Sequence, residues 1–177
     1  MKMKSLDDYI SGLLSRYKSK GILIDTNLLL VYFIGMYDSR RIESYKRIKS
    51  KAFSIKDLEV ISAIFNYFDK IITTPNILTE VSNLSNQLDE DERLIYYLLF
   101  AKLVSLFDEE YVPSSRVCSL DHFNRFYLTD SGIIELVKDK YLVLTDDFKL
   151  SGKLRSSGID CIQFRDLITV AWLTTSG

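Results

Sequence analysis

A chain of 177 residues with 47% hydrophobic and 27% charged side chains is long enough to bury a substantial core and ordinary enough in composition for one globular domain, residues 1–177. Its net charge of −1 excludes a polycation built to coat nucleic acid, so any such contact has to come from a local patch. The sole histidine, His122, excludes sites built on several His ligands, and Cys118 and Cys161 lack the CxxC spacing of a zinc or redox motif, as suits two idle thiols in a reducing cytoplasm.

In chain order, Met1–Asp8 has basic residues without an apolar core behind them, unlike a secretory signal. Leu6, Tyr9, Ile10, Leu13, Leu14 and Tyr17 fall at helical spacing, which predicts an amphipathic helix over about 5–19. Gly21 then opens a short buried strand, Ile22–Ile24, which stops on Asp25-Thr26-Asn27 before an apolar helix from about Thr26 to Gly35. A carboxylate at the exit of a buried strand is costly unless paired. Asp25 either caps the next helix or belongs to a site at the carboxyl end of the sheet, where open α/β folds bind ligands.

The stretch 39–56 carries Arg40, Arg41, Lys46, Arg47, Lys49, Lys51 and Lys56 against one acid, Glu43, with Tyr45 and Phe53 interleaved. It reads as a solvated helix face or as a landing surface for a phosphate backbone, with aromatics to stack on bases. An apolar helix over Leu58–Phe68 and a β-branched strand, Ile71–Thr74, follow; Pro75-Asn76 ends the strand and starts a helix that carries Glu80 about one turn in. Asp89–Glu92 fits the first turn of a long helix reaching about Phe107, where acids complement the helix dipole. That helix contains the longest apolar run, Leu94–Ala101, whose eight residues are far fewer than the ~20 of a membrane-spanning helix.

Residues 109–120 read as irregular, Phe123–Leu128 is aromatic-rich, and Thr129-Asp130-Ser131 looks like the start of a capped helix. A third strand, Tyr141–Thr145, ends on Asp146-Asp147; a basic-tipped helix over Phe148–Ser157 (Lys149, Lys153, Arg155), closed by Gly158, leads to a last strand, Ile159–Phe164, and an apolar segment with Trp172. Strands alternating with helices predict an α/β fold with a parallel sheet between helical layers.

Acids therefore gather at strand exits and helix starts: Asp25, Glu80, Asp130 and Asp146-Asp147. On one rim they would repel one another unless a divalent cation lay between them. Mg²⁺ and Mn²⁺ prefer such oxygen ligands, ionise water and stabilise an in-line phosphoryl displacement. Helix capping by Asp25 and Asp130, with Glu80 on a helix surface, is the structural alternative.

The order of these motifs resembles the PIN-domain nucleases, over about residues 20–165: Asp25-Thr26-Asn27 after the first strand, Pro75…Leu78-Thr79-Glu80-Val81, Leu128-Thr129-Asp130-Ser131, and Leu144-Thr145-Asp146-Asp147-Phe148-Lys149-Leu150. The resemblance implies a three-layer α/β/α sandwich with a mainly parallel sheet and an Mg²⁺- or Mn²⁺-dependent ribonuclease. Asp25, Glu80, Asp130 and Asp147 would be its metal-site and catalytic acids, with Asn27 and Thr145 as polar supports. The doublet gives two candidates: the spacing from Thr145 favours Asp147, and Asp146 either faces outward or is the alternative metal ligand. Relative to compact members, the excess length lies in the N-terminal helix and in a basic helical insertion over about 38–68, where Arg40, Arg41, Lys46, Arg47 and Lys49 are candidate RNA contacts. The resemblance extends to toxins neutralised by an antitoxin encoded beside them, and to homodimers. A catalytically inactive PIN-like module that binds RNA or protein is the alternative, and a DNA nuclease would share the same site.

Overall fold

The computed structural model describes residues 5–175, with side chains through residue 171. Met1–Lys4 and the side chain of Trp172 lie outside the described residues. Five short strands are present: β1 (Ile22–Ile24), β2 (Ile71–Thr73), β3 (Asp108–Glu109), β4 (Leu142–Thr145) and β5 (Cys161–Gln163). They form one all-parallel sheet in the order β3-β2-β1-β4-β5. Ile22 sits opposite Ile71 on one side and Leu142 on the other, so β1 is the central strand. β1, β2, β4 and β5 are buried at every position, which is why they read as short continuous runs rather than as alternating patterns.

The chain steps outward from β1 to β2 and β3, then returns past β1 to β4 and continues to β5. Right-handed crossovers send the helices of the two halves to opposite faces, giving an α/β/α sandwich. In the first half α2 (Thr26–Tyr37) packs with α4 (Ile55–Tyr67), α5 (Pro75–Leu84) and α6 (Glu90–Val104). In the second, α8 (Phe123–Val137) packs with α7 (Ser114–Cys118) and α9 (Phe148–Ser156), while α1 (Leu6–Tyr17) meets α10 (Phe164–Thr175). The order of strand addition reverses between β1 and β4, the position at which open α/β sheets form a ligand crevice beyond the strand ends.

Helix α2 is apolar on nearly every side, and Leu28–Val31, Phe33 and Ile34 are at most 1% exposed. Gly35 lets α4 approach: a Cβ there would lie 2.5 Å from Leu58 Cδ2. Gly35→Val is therefore expected to overpack this contact and destabilise the fold by about 2–3 kcal/mol. Chemical denaturation would read this as a lower midpoint with an unchanged slope.

Several elements depart from the sequence reading. β3 is two exposed acidic residues with no apolar signal; it joins β2 in register Ile72 with Asp108, and Glu110 N–H donates to the Thr73 carbonyl at 2.9 Å. The segment expected to be irregular contains α7. Helix α8 begins at Phe123 and is broken at Tyr127 (φ 57°, ψ −164°), so Asp130 lies inside its second part and does not cap it. Within the basic insertion, which holds the short α3 (Lys46–Ser50), Tyr45 and Phe53 are only 5% and 4% exposed. Tyr45 donates to the Leu84 carbonyl and Phe53 packs beside Phe164, so neither is available to stack on bases. No helix among the described residues is long and apolar enough to cross a membrane. Cys118 and Cys161 are both free thiols.

Candidate active site

Asp25 sits at the crevice. Its backbone N–H still belongs to the sheet, donating to the Leu144 carbonyl at 3.1 Å, and its side chain caps α2. Three donors converge on the carboxylate: Leu28 N–H on Oδ1 at 3.1 Å, and Asp146 N–H at 3.0 Å together with the Thr145 hydroxyl on Oδ2. Capping and membership of an acidic site are thus the same placement. The side chain is buried, and burial, helped by the charge of Asp146, pushes its pKa up to about 7 despite the three hydrogen bonds.

Thr145 links the two ends of the last motif, because its Oγ1 also accepts from Asp147 N–H at 2.9 Å. Thr145→Val keeps the shape but removes one donor from Asp25 and one acceptor from the Asp147 amide. It is expected to cost about 1–3 kcal/mol of stability, measured by denaturant titration, and to push the Asp25 carboxyl further up.

Asp146 does not face outward: its side chain is 7% exposed and is the charge that acts on Asp25. Asn27 donates to Asp146 Oδ1 at 3.1 Å, which ties the exit of β1 to the exit of β4. Two cations of the insertion reach this spot. Lys51 Nζ pairs with Asp146 Oδ2 at 3.2 Å, and Arg47 donates to Asn27 Oδ1 at 3.2 Å. Arg165 steadies the approach by donating to the Lys51 carbonyl at 3.0 Å.

On the other side of the doublet, Asp147 caps α9, receiving Lys149 N–H and Leu150 N–H on Oδ1 at 2.7 and 2.9 Å. Its charge bears on Asp130, as does that of Glu80. Glu80 is exposed and held by two hydroxyls, Thr26 at 2.8 Å and Thr129. Asp130 accepts no hydrogen bond from any described residue. Burial, then Asp147, then Glu80 raise its pKa to about 6, with Lys149 acting in the opposite sense.

All five acids predicted from sequence thus lie around one rim, as two adjoining groups: Asp25 with Asp146, and Asp130 with Asp147 and Glu80. Among the described residues no three acidic, histidine or cysteine side chains form a ready cage for a metal ion. An all-oxygen donor set of this kind nevertheless suits Mg²⁺ or Mn²⁺, which Mg²⁺ sites typically hold with one or two carboxylates while retaining several waters. The undonated carboxylate of Asp130, beside two other acids, is the feature a cation would relieve.

The candidate RNA contacts divide. Arg40 is engaged with Asp38 at 2.8 Å and Arg41 with Glu92, Arg47 reaches the rim through Asn27, and Lys46 and Lys49 are exposed. Lys51, within the same basic stretch, is the insertion residue that contacts a rim carboxylate, and Lys149, two residues beyond Asp147, is a further cation near the site. In sequence Lys51 is one of the cations of the basic stretch and Lys149 one of those on the basic-tipped helix, and neither is among the candidate RNA contacts. No family model matches the chain, and no curated protein matches its sequence.

Proposed function

We propose that the protein is a divalent-cation-dependent endoribonuclease of PIN-like type, acting in the cytoplasm. The observation that carries this reading is Asp130, a largely buried carboxylate without a hydrogen-bond donor, faced by Asp147 and Glu80 at the carboxyl edge of a parallel sheet. Asp25, with Asp130 or Asp147, would supply the oxygen donors for Mg²⁺ or Mn²⁺. Glu80 is positioned by Thr26 and Thr129, and Asp146 is countered by Lys51. A bound cation supplies positive charge to the phosphorus under attack and makes water a better nucleophile. Of Asp130 and Asp147, the one that does not hold the cation would orient the attacking water and take its proton. Asn27 and Thr145 hold the two strand exits in register, and Lys51, Arg47 and Lys149 flank the acids as phosphate contacts.

Leu94, Ile95 and Leu98 of α6 are 61–70% exposed, and this reading gives that apolar surface to a protein partner, an antitoxin or a second copy. The test is cleavage of a labelled single-stranded RNA with Mn²⁺ or with EDTA. Cleavage that requires the cation supports the reading. A folded protein that binds RNA but cleaves neither RNA nor DNA with Mn²⁺ would make it a binding module, and DNA cleavage alone would change the substrate.

A further inference from the structure

A cavity of about 580 Å³ lies beside the acidic rim, between the start of α8 and the length of α9. Its volume falls in the range of small-ligand sites. Three cations line it, Arg125, Lys149 and Lys153, against one acid, Asp121. None of the three makes an ion pair with a described residue, a local excess of positive charge in a chain of net charge −1. His122 also lines the cavity, and its Nε2 is buried without a hydrogen-bond partner.

Lys149 joins the cavity to the rim. Its Nζ donates to the Arg125 carbonyl and lies 4.9 Å from the centre of the Phe126 ring and 5.9 Å from that of Tyr127, while its charge also acts on Asp130. Tyr127 is 71% exposed, in a backbone conformation that is essentially reserved for glycine. Strain of this kind persists only where surroundings enforce it, and here it presents an aromatic ring beside the cation-lined cavity. Cations that track phosphates next to an exposed ring are the means by which proteins hold single strands without reading sequence.

We propose that this cavity is a nucleotide subsite, which holds one phosphorylated nucleotide of a single-stranded RNA through Arg125, Lys149 and Lys153 while Tyr127 stacks on a neighbouring base. The assignment rests on the ribonuclease reading for its substrate, but not for its test.

The experiment is fluorescence anisotropy of a labelled twelve-nucleotide single-stranded RNA in EDTA at low salt, where no cleavage occurs. Arg125→Glu and Lys153→Glu are compared with the wild type and with Lys102→Glu, an exposed charge on α6. Each cavity variant is expected to weaken binding about tenfold or more and to make the salt dependence shallower by about one phosphate contact. Lys102→Glu and the wild type should bind alike. In Mn²⁺ the cavity variants should raise KM with kcat little changed. Wild-type affinity in both cavity variants, equal weakening by Lys102→Glu, or failure of the wild type to bind the RNA would each overturn the subsite. If binding depends on the cavity but no RNA is cut in Mn²⁺, the subsite stands and the nuclease reading fails; the converse pattern separates them the other way.

Discussion

Asp25→Asn is expected to reduce cation-dependent RNA cleavage by about 10³-fold or more, beyond the ~10–100-fold that follows loss of a group that merely orients a metal ligand. The substitution removes charge where β1 and β4 diverge, from the side chain that both anchors α2 and faces Asp146. Its effect on folding is a balance of two opposed terms. Asparagine has a single acceptor oxygen, so it cannot satisfy Leu28 N–H, Asp146 N–H and the Thr145 hydroxyl as the carboxylate does, and an unmet donor costs about 1–3 kcal/mol. Removing a buried negative charge beside Asp146 offsets much of that cost. Circular dichroism should therefore show an intact fold. Asp160→Asn is the control: Asp160 precedes β5, at the opposite edge of the sheet, and bonds Arg16 and Tyr17. It should cleave like the wild type, and a fully active, cation-dependent Asp25→Asn protein would refute the assignment of the site.

Millimolar Mn²⁺ or Mg²⁺ is expected to raise the melting temperature at pH 8 by roughly 5–10 °C if present at about a hundred times its dissociation constant. That excess supplies about 2.7 kcal/mol, and a chain of this length gains about 2–4 °C for each kcal/mol. The size of the shift should depend on pH. Without the cation, folded Asp25 keeps its proton up to about pH 7 against an ordinary 3.8, and Asp130 up to about pH 6. Between those limits the folded state binds more protons than the unfolded chain. The stability contributed by the protonated acids is complete below about pH 4, declines as pH rises, and is gone above about pH 7. The cation replaces those protons, so its stabilisation should be largest at pH 8 and much smaller at pH 5. Asp130→Asn should reduce the shift at pH 8. Scanning fluorimetry of the wild type and this variant at both pH values measures it, and no shift at pH 8 would count against a cation site.

What could be read from the sequence follows from how each element is made. Ile22–Ile24, Ile71–Thr73, Leu142–Thr145 and Cys161–Gln163 are buried throughout, so their apolar segments mark four of the five strands, and the polar residues that end β1 and β4 mark the edge at which Asp25 and the Asp146-Asp147 doublet lie. Asp108–Glu109 could not be seen this way, because it is a strand by backbone pairing to β2 alone. The direction taken by an isolated side chain was equally hidden. Tyr45 and Phe53 alternate with cations in sequence yet fill the core, and the two members of the doublet serve different partners, Lys51 and Asn27 for Asp146 and the start of α9 for Asp147. The break at Tyr127 leaves no trace, since the residue in a left-handed position is a tyrosine rather than a glycine.

The place of β1 in the middle of the sheet also governs when the rim exists. Asp25 lies near the start of the chain, whereas the hydroxyl and amide that fix its carboxylate, at Thr145 and Asp146, come 120 and 121 residues later. Contacts this distant in sequence form late, after the loop between them has been closed at an entropic cost. During synthesis the half containing β1, α2 and β2 can begin to pack as it leaves the ribosome. Its central strand then waits with one edge open until β4 emerges. A nascent chain that has not yet delivered Thr145 has its first acid but no partner across the crevice, so the acidic rim cannot assemble before β4 has been made.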